Sequence, residues 1–185
     1  MSIELLHELW EYHRWANRRL FDVTASLGEE IAGRHVGKQF SVPTLRGMFT
    51  HLYAADLLWL ERWSGNPTAS MLGGDIATLG QLRPRWDALE AEQRRFLAGL
   101  RETDLGRVLE TRRDGQPEYR SLGALLLHVP NHATHHRSEI ATMLTMVGGS
   151  PPDSGINTYL RERGASPTTA RPRSPWAEFS HTTGT

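Results

Sequence analysis

Four of the chain's nine histidines, His128, His132, His135 and His136, fall in the run Leu-Leu-His-Val-Pro-Asn-His-Ala-Thr-His-His-Arg. A neutral imidazole has one donor and one acceptor nitrogen, and the acceptor is a good ligand for a divalent transition metal. On a helix, two residues four apart lie one turn apart on one face, so their ring nitrogens can be directed at a shared point. The row Leu125, Val129, His132, His136, Ile140, Met143 and Val147 follows the 3-and-4 spacing of a buried face, which puts His132 and His136 where core residues belong. Buried imidazoles need partners for their polar atoms. A shared metal ion supplies one, and hydrogen bonding within a polar core is the other solution. His128 with His132 has the same spacing and is a rival pair, although the apolar periodicity favours the inner two. The chain has no cysteine, so any ion must be held on nitrogen and oxygen, and disulfides and a cysteine nucleophile are excluded.

These residues need elements to position them, and the pattern predicts four long helices. From Ser2 to about Leu27, Leu6, Leu9, Trp10, Ala16, Leu20 and Val23 recur at helical spacing, with Gly28 as a stop. Thr44 caps a second helix carrying Met48, Leu52, Ala55 and Trp59 and ending near Gly65; His51 lies beside its apolar stripe. Thr78 to Gln81 reads as a capping box for a third helix reaching about Arg101, with Pro84 tolerated in its first turns. Between Asp104 and Arg120 helical periodicity fails, and Val108, Leu109 and Tyr119 flank Asp114-Gly115, which predicts a short hairpin. Ser121 caps the fourth helix, which runs to about Val147 and is stopped by Gly148 and Gly149. Pro130 within it frees one backbone carbonyl, either as a tolerated bend or in service of the site. The fold class is therefore all-α, a four-helix bundle with a hairpin before its last helix. Residues 1–163 form the bundle domain, and residues 164–185 are a polar Ser/Thr/Pro/Arg-rich tail with one short apolar cluster at Trp176 and Phe179.

The 21 basic and 21 acidic residues cancel, so no net field draws the protein to nucleic acid or an anionic membrane. Neither an export signal nor a membrane span is recognisable, and the cytoplasm is the expected location. His13 is expected to be a hydrogen-bonded core residue, and Trp10, Trp59 and Trp63 to be packing residues. Asp56 reads as a solvated helix charge, or else, with Asn131, as a group orienting a ligand ring. Glu139 is the acidic residue adjacent to the histidines on that helix, either a weak catalytic candidate or a side chain facing solvent.

The segment His128 to Thr145, H-V-P-N-H-A-T-H-H-R-S-E-I-A-T-M-L-T, resembles the signature of the DinB family, in which an Asn-His-x-x-His-His-Arg-Gly-Gln run supplies two metal ligands. That resemblance assigns His132 and His136 as ligands. Thr50 to Leu60, T-H-L-Y-A-A-D-L-L-W-L, resembles the family's second histidine-bearing helix and implies His51 as the third. Trp15-Ala16-Asn17 is similar to the family's Trp-Ala-Asn, and Ser150 to Arg161 to its closing segment, so the likeness spans about residues 3–163. Ser138-Glu139 stands where the family commonly has Gly-Gln, which changes the volume and charge near the site.

The resemblance implies one divalent metal ion on three imidazoles with at least one open position, as in catalytic sites. Zinc is favoured, with nickel or iron next, since imidazole suits all three. It also implies a metal-dependent enzyme that transfers a low-molecular-weight thiol, such as bacillithiol or mycothiol, to an electrophilic small molecule. The alternatives are a hydrolase using metal-activated water and a non-catalytic metal-binding stress protein. A small-molecule substrate and a homodimer complete the expectation.

Overall fold

The computed structural model describes residues 2–113 and 116–164. The helices are α1 (Ile3–Ser26), α2 (Glu29–Gly33), α3 (Leu45–Trp63), α4 (Leu79–Ala98), α5 (Leu122–Met146) and α6 (Ile156–Gly164). A 3-10 helix at Glu102–Gly106 and the strands β1 (Val108–Arg113) and β2 (Gln116–Ser121) stand between α4 and α5. The strands pair antiparallel from Val108 opposite Ser121 to Arg113 opposite Gln116. The expected Asp114-Gly115 turn, and Trp176 and Phe179 of the tail, lie outside the described residues. No helix of the described residues is long and apolar enough to cross a membrane.

The long helices begin where short hydroxyl side chains can cap them. Ser2, Thr44, Thr78 and Ser121 each accept a hydrogen bond from the backbone N–H three residues on, at 3.2, 3.0, 3.1 and 3.3 Å. Gln81 reaches back to the N–H of Ala77 at 2.9 Å, completing a reciprocal cap on α4. At the far end of α5 the chain turns at Gly148, where φ is +85° and a side chain would be strained. The N–H of Gly149 then closes on the carbonyl of Leu144 at 2.8 Å.

The four long helices share one core. Leu6, Trp10 and Leu20 of α1 meet Met48, Phe49 and Leu52 of α3, Leu82 and Trp86 of α4, and Leu125, Leu126 and Ile140 of α5, all essentially inaccessible to water. Trp10 and Trp63 are packing residues, their rings set edge-on at 5.7 Å. Trp10 has a second role that explains how α5 tolerates Pro130. Proline lacks an N–H, so the carbonyl of Leu126, four residues earlier, loses its helical partner. The indole Nε1–H of Trp10 donates to that oxygen at 3.2 Å inside the core. The freed carbonyl thus serves the packing of α1 on α5 and not the histidine site. Trp10→Phe keeps most of the ring but orphans this acceptor, and is expected to cost about 1–3 kcal/mol. Chemical denaturation with an unchanged slope would check it, and a loss below about 0.5 kcal/mol would show that water replaces the indole.

Three features depart from the sequence reading. Helix α4 ends at Ala98 and not near Arg101, because Gly99 caps it and glycine costs about 1 kcal/mol relative to alanine in a helix interior. The short α2 was not expected; its Glu29 carboxylate accepts from the N–H groups of Leu79 and Gly80 at 2.7 and 3.2 Å, satisfying the start of α4 from a distance. Helix α6, in the closing segment, docks through one buried residue, Tyr159, whose ring lies 5.8 Å from Tyr12 and 5.5 Å from Trp15 of α1. One anchor among exposed neighbours leaves too weak a period to read.

Candidate metal centre

Helix α3 carries His51 in its second turn, and α5 carries His132 and His136 one turn apart on the side facing α3. Their three Nε2 atoms form a triangle with edges of 3.4 Å (His51 to His132), 3.2 Å (His51 to His136) and 3.0 Å (His132 to His136). His136 is buried, while His51 and His132 are half-buried, so the triangle has one side toward the core and one toward solvent.

The donor set fits a divalent ion. An ion about 2.1 Å from each of three imidazole nitrogens separates them by about 3.0 Å on an octahedral face and about 3.4 Å in a tetrahedron. The three observed edges span that interval. Three nitrogens this close cannot satisfy one another, because a proton on one ring serves one neighbour and leaves the third lone pair facing it. The surroundings also hold two of the rings, His132 and His51, neutral. Burial, with His136 and His51 as potential cations close by, pushes the His132 imidazole down to about 4. Burial and His136 lower His51 in the same direction.

Glu139 decides which nitrogen of His136 faces the triangle. Its Oε2 accepts from Nδ1 of His136 at 2.7 Å, so the proton sits on Nδ1 and the Nε2 lone pair is aimed inward. Its Oε1 accepts from the backbone N–H and the hydroxyl of Ser41, at 2.8 and 3.0 Å, tying the segment before α3 to α5. Burial would raise the Glu139 carboxyl, but these bonds together hold it below the usual range. Glu139 is therefore neither a solvent-facing charge nor a free base. Glutamine at this position, with one acceptor oxygen, cannot serve both His136 and Ser41. Glu139→Gln is expected to weaken zinc binding about 10–100-fold in a chelator competition, and an unchanged affinity would remove Glu139 from the site.

His135, His136 and Glu139 also offer ligand atoms within 4.8 Å of one another. Here His136 has already committed Nδ1 to Glu139, and His135 is exposed, so the triangle with His51 is the better centre. His128 is exposed too, its ring edge-on to the half-buried Trp59 at 5.2 Å, outside the triangle. The rival pairing of His128 with His132 is thereby disfavoured.

Two expectations about outer residues are corrected. Asp56 is no solvated charge: it is 2% exposed and its Oδ2 accepts from the Trp86 indole at 3.2 Å and lies 3.2 Å from Nε2 of His13. Among the described residues neither Asp56 nor the exposed Asn131 hydrogen-bonds to a ring of the triangle. His13 is, as expected, a hydrogen-bonded core residue, 1% exposed.

A model of the DinB family matches residues 1–171 of the chain. Protein DinB of Bacillus subtilis (strain 168) is 28% identical over 166 residues, which cover 83% of this chain and 93% of that protein.

Proposed function

The chain belongs to the DinB family, and from that premise we propose a divalent-metal-dependent enzyme that transfers a low-molecular-weight thiol to an electrophilic small molecule. His51, His132 and His136 are the ligands in this reading, and the observation that carries it is the triangle of converging Nε2 atoms. When bound, the ion supplies Lewis acidity, which makes a thiol acidic enough to react as thiolate near neutral pH. Zinc is the favoured occupant, with nickel or iron next.

The protein's own groups bind, orient and hold protons. Glu139 keeps the Nδ1 proton of His136, so that ring is a ligand in a single tautomer. Burial keeps His132 and His51 unprotonated and ready to bind a cation at neutral pH. The chain contains no cysteine, so a sulfur nucleophile must arrive as a cosubstrate. In the transfer the thiol sulfur forms the new bond to the electrophile, the bond to the leaving group breaks, and the thiol proton departs with that group. Hydrolysis, the alternative, needs a base to take a proton from water. Glu139 is poorly suited to that work, since both its oxygens already accept hydrogen bonds.

The test is metal analysis of untagged protein followed by a screen of thiols against halogenated and epoxide electrophiles. Turnover with one thiol and none without it is the expected result. Ester or amide hydrolysis in the absence of any thiol would overturn the transferase reading in favour of the hydrolase.

A further inference from the structure

A second polar system lies beneath the histidines and is fully enclosed by the bundle. Arg137, next in sequence to His136, is 3% exposed and donates to Oδ1 of Asn17 at 2.9 Å, to the hydroxyl of Thr134 at 2.6 Å and to the hydroxyl of Tyr12 at 3.5 Å. A guanidinium has only donors, so Oδ1 of Asn17 must be the atom that faces it. The NH2 of Asn17 is then turned toward Nε2 of His13, 3.2 Å away, and the same Nε2 lies 3.2 Å from Oδ2 of Asp56. One ring nitrogen serves one of these at a time, and as an N–H it donates to Asp56 while the Asn17 amide packs against it within α1. Trp86 closes the series by donating to that oxygen. The run Arg137, Asn17, His13, Asp56, Trp86 passes from α5 through α1 and α3 to α4, linking all four long helices.

This arrangement is not explained by stability. Buried guanidinium and carboxylate here do not touch; Asn17 and His13 stand between them, and burying such charges costs more than equivalent apolar packing. Directional buried hydrogen bonds instead specify register, which leucine and isoleucine contacts do only loosely. Register is what the histidines require. Their nitrogens stand 3.0–3.4 Å apart on two helices, and a working site tolerates displacements of about 0.5 Å, a tenth of one helical turn. Each ligand-bearing helix holds one charged end of the series: α5 has Arg137 beside His136, and α3 has Asp56 little more than a turn beyond His51. The middle members sit on α1, which carries no ligand and acts as a common reference for both.

We propose that Arg137, Asn17, His13 and Asp56 are positioning residues that fix α5 against α3 in the register at which His132 and His136 meet His51. The proposal rests on the metal-centre reading above, and it gives a role to Asn17 of the Trp-Ala-Asn motif and to the arginine that follows the paired histidines. The test compares the full-length wild type with two variants. In Asn17→Leu/Arg137→Met both partners become apolar with similar volume, so no polar group is left bare at that contact. Asp56→Asn keeps the shape and an acceptor for Trp86 but removes the charge.

Zinc affinity by chelator competition, X-ray absorption of the zinc form and melting of the zinc-free form are measured together. Both variants are expected to remain helical, to bind zinc about 10–100-fold more weakly and to show fewer than three imidazoles on the ion. Lowered melting with unchanged zinc affinity and three imidazoles in either variant would reduce the series to a structural role and overturn the proposal. The wild type separates the two readings: if it binds no zinc through imidazole, the metal centre itself fails; if it does and the variants match it, only the positioning role fails.

Discussion

Alanine at His51, His132 or His136 is expected to yield folded protein purified largely without metal and inactive in any reaction the wild type catalyses. Each substitution removes one of three inner-sphere donors, and water in its place binds more weakly and is not held in position by the helices. The loss should exceed the roughly 10–100-fold cost of removing an outer partner such as Glu139. Alanine at His128 or His135 should leave full metal content, since both rings are exposed and stand outside the triangle. Elemental analysis gives the occupancy and X-ray absorption the number of imidazoles. Full occupancy with unchanged coordination in His51→Ala would place the third ligand elsewhere. Loss of metal in His128→Ala with retention in His136→Ala would shift the site one turn along α5.

How much of this was legible follows from how local each cause is. Caps at Thr44, Thr78 and Ser121 lie within three residues of the groups they satisfy, so the starts of α3, α4 and α5 could be read directly. The phase of α5 was legible because Leu125, Val129, Ile140 and Met143 define its buried face independently of the histidines. His51 was different. Beside an apolar stripe it looks like any half-buried histidine, and only the family likeness singled it out. Asp56 was misread because its partner His13 lies 43 residues away, and the Ser41 half of the Glu139 contacts, 98 residues away, was illegible for the same reason, although His136 is only three residues from Glu139. No periodicity records such pairings. A charged residue on a core-facing position of α3 was the one available signal for Asp56, and composition alone assigns such a residue to solvent.

Removing the metal should lower thermal stability substantially, and the effect should vanish in acid. An ion bound only by the folded state stabilises it by about 4 kcal/mol when free metal is a thousandfold above the dissociation constant. For a chain of this size each kcal/mol moves the melting point about 2–4 °C, so chelation should lower it by about 8–16 °C. The pH dependence of the metal-free protein follows from His132, whose imidazole is pushed from 6.5 down to about 4 in the folded state. Between those values the unfolded chain holds more protons at this group than the folded one, so stability rises with pH across the interval. The contribution is complete above about pH 6.5 and is lost as pH falls toward about 4, and the lowered His51 acts in the same direction. Because both rings resist protonation, protons compete with the metal later than they would at free imidazole. The difference between metal-bound and metal-free melting points should therefore survive at about pH 6 and disappear below about pH 4. Melting curves with zinc and with chelator across this range measure both effects. Equal melting points at about pH 7 would mean that no ion is linked to the fold, and metal-free protein that grew more stable on acidification from about pH 6.5 would contradict the half-buried, neutral state of His132.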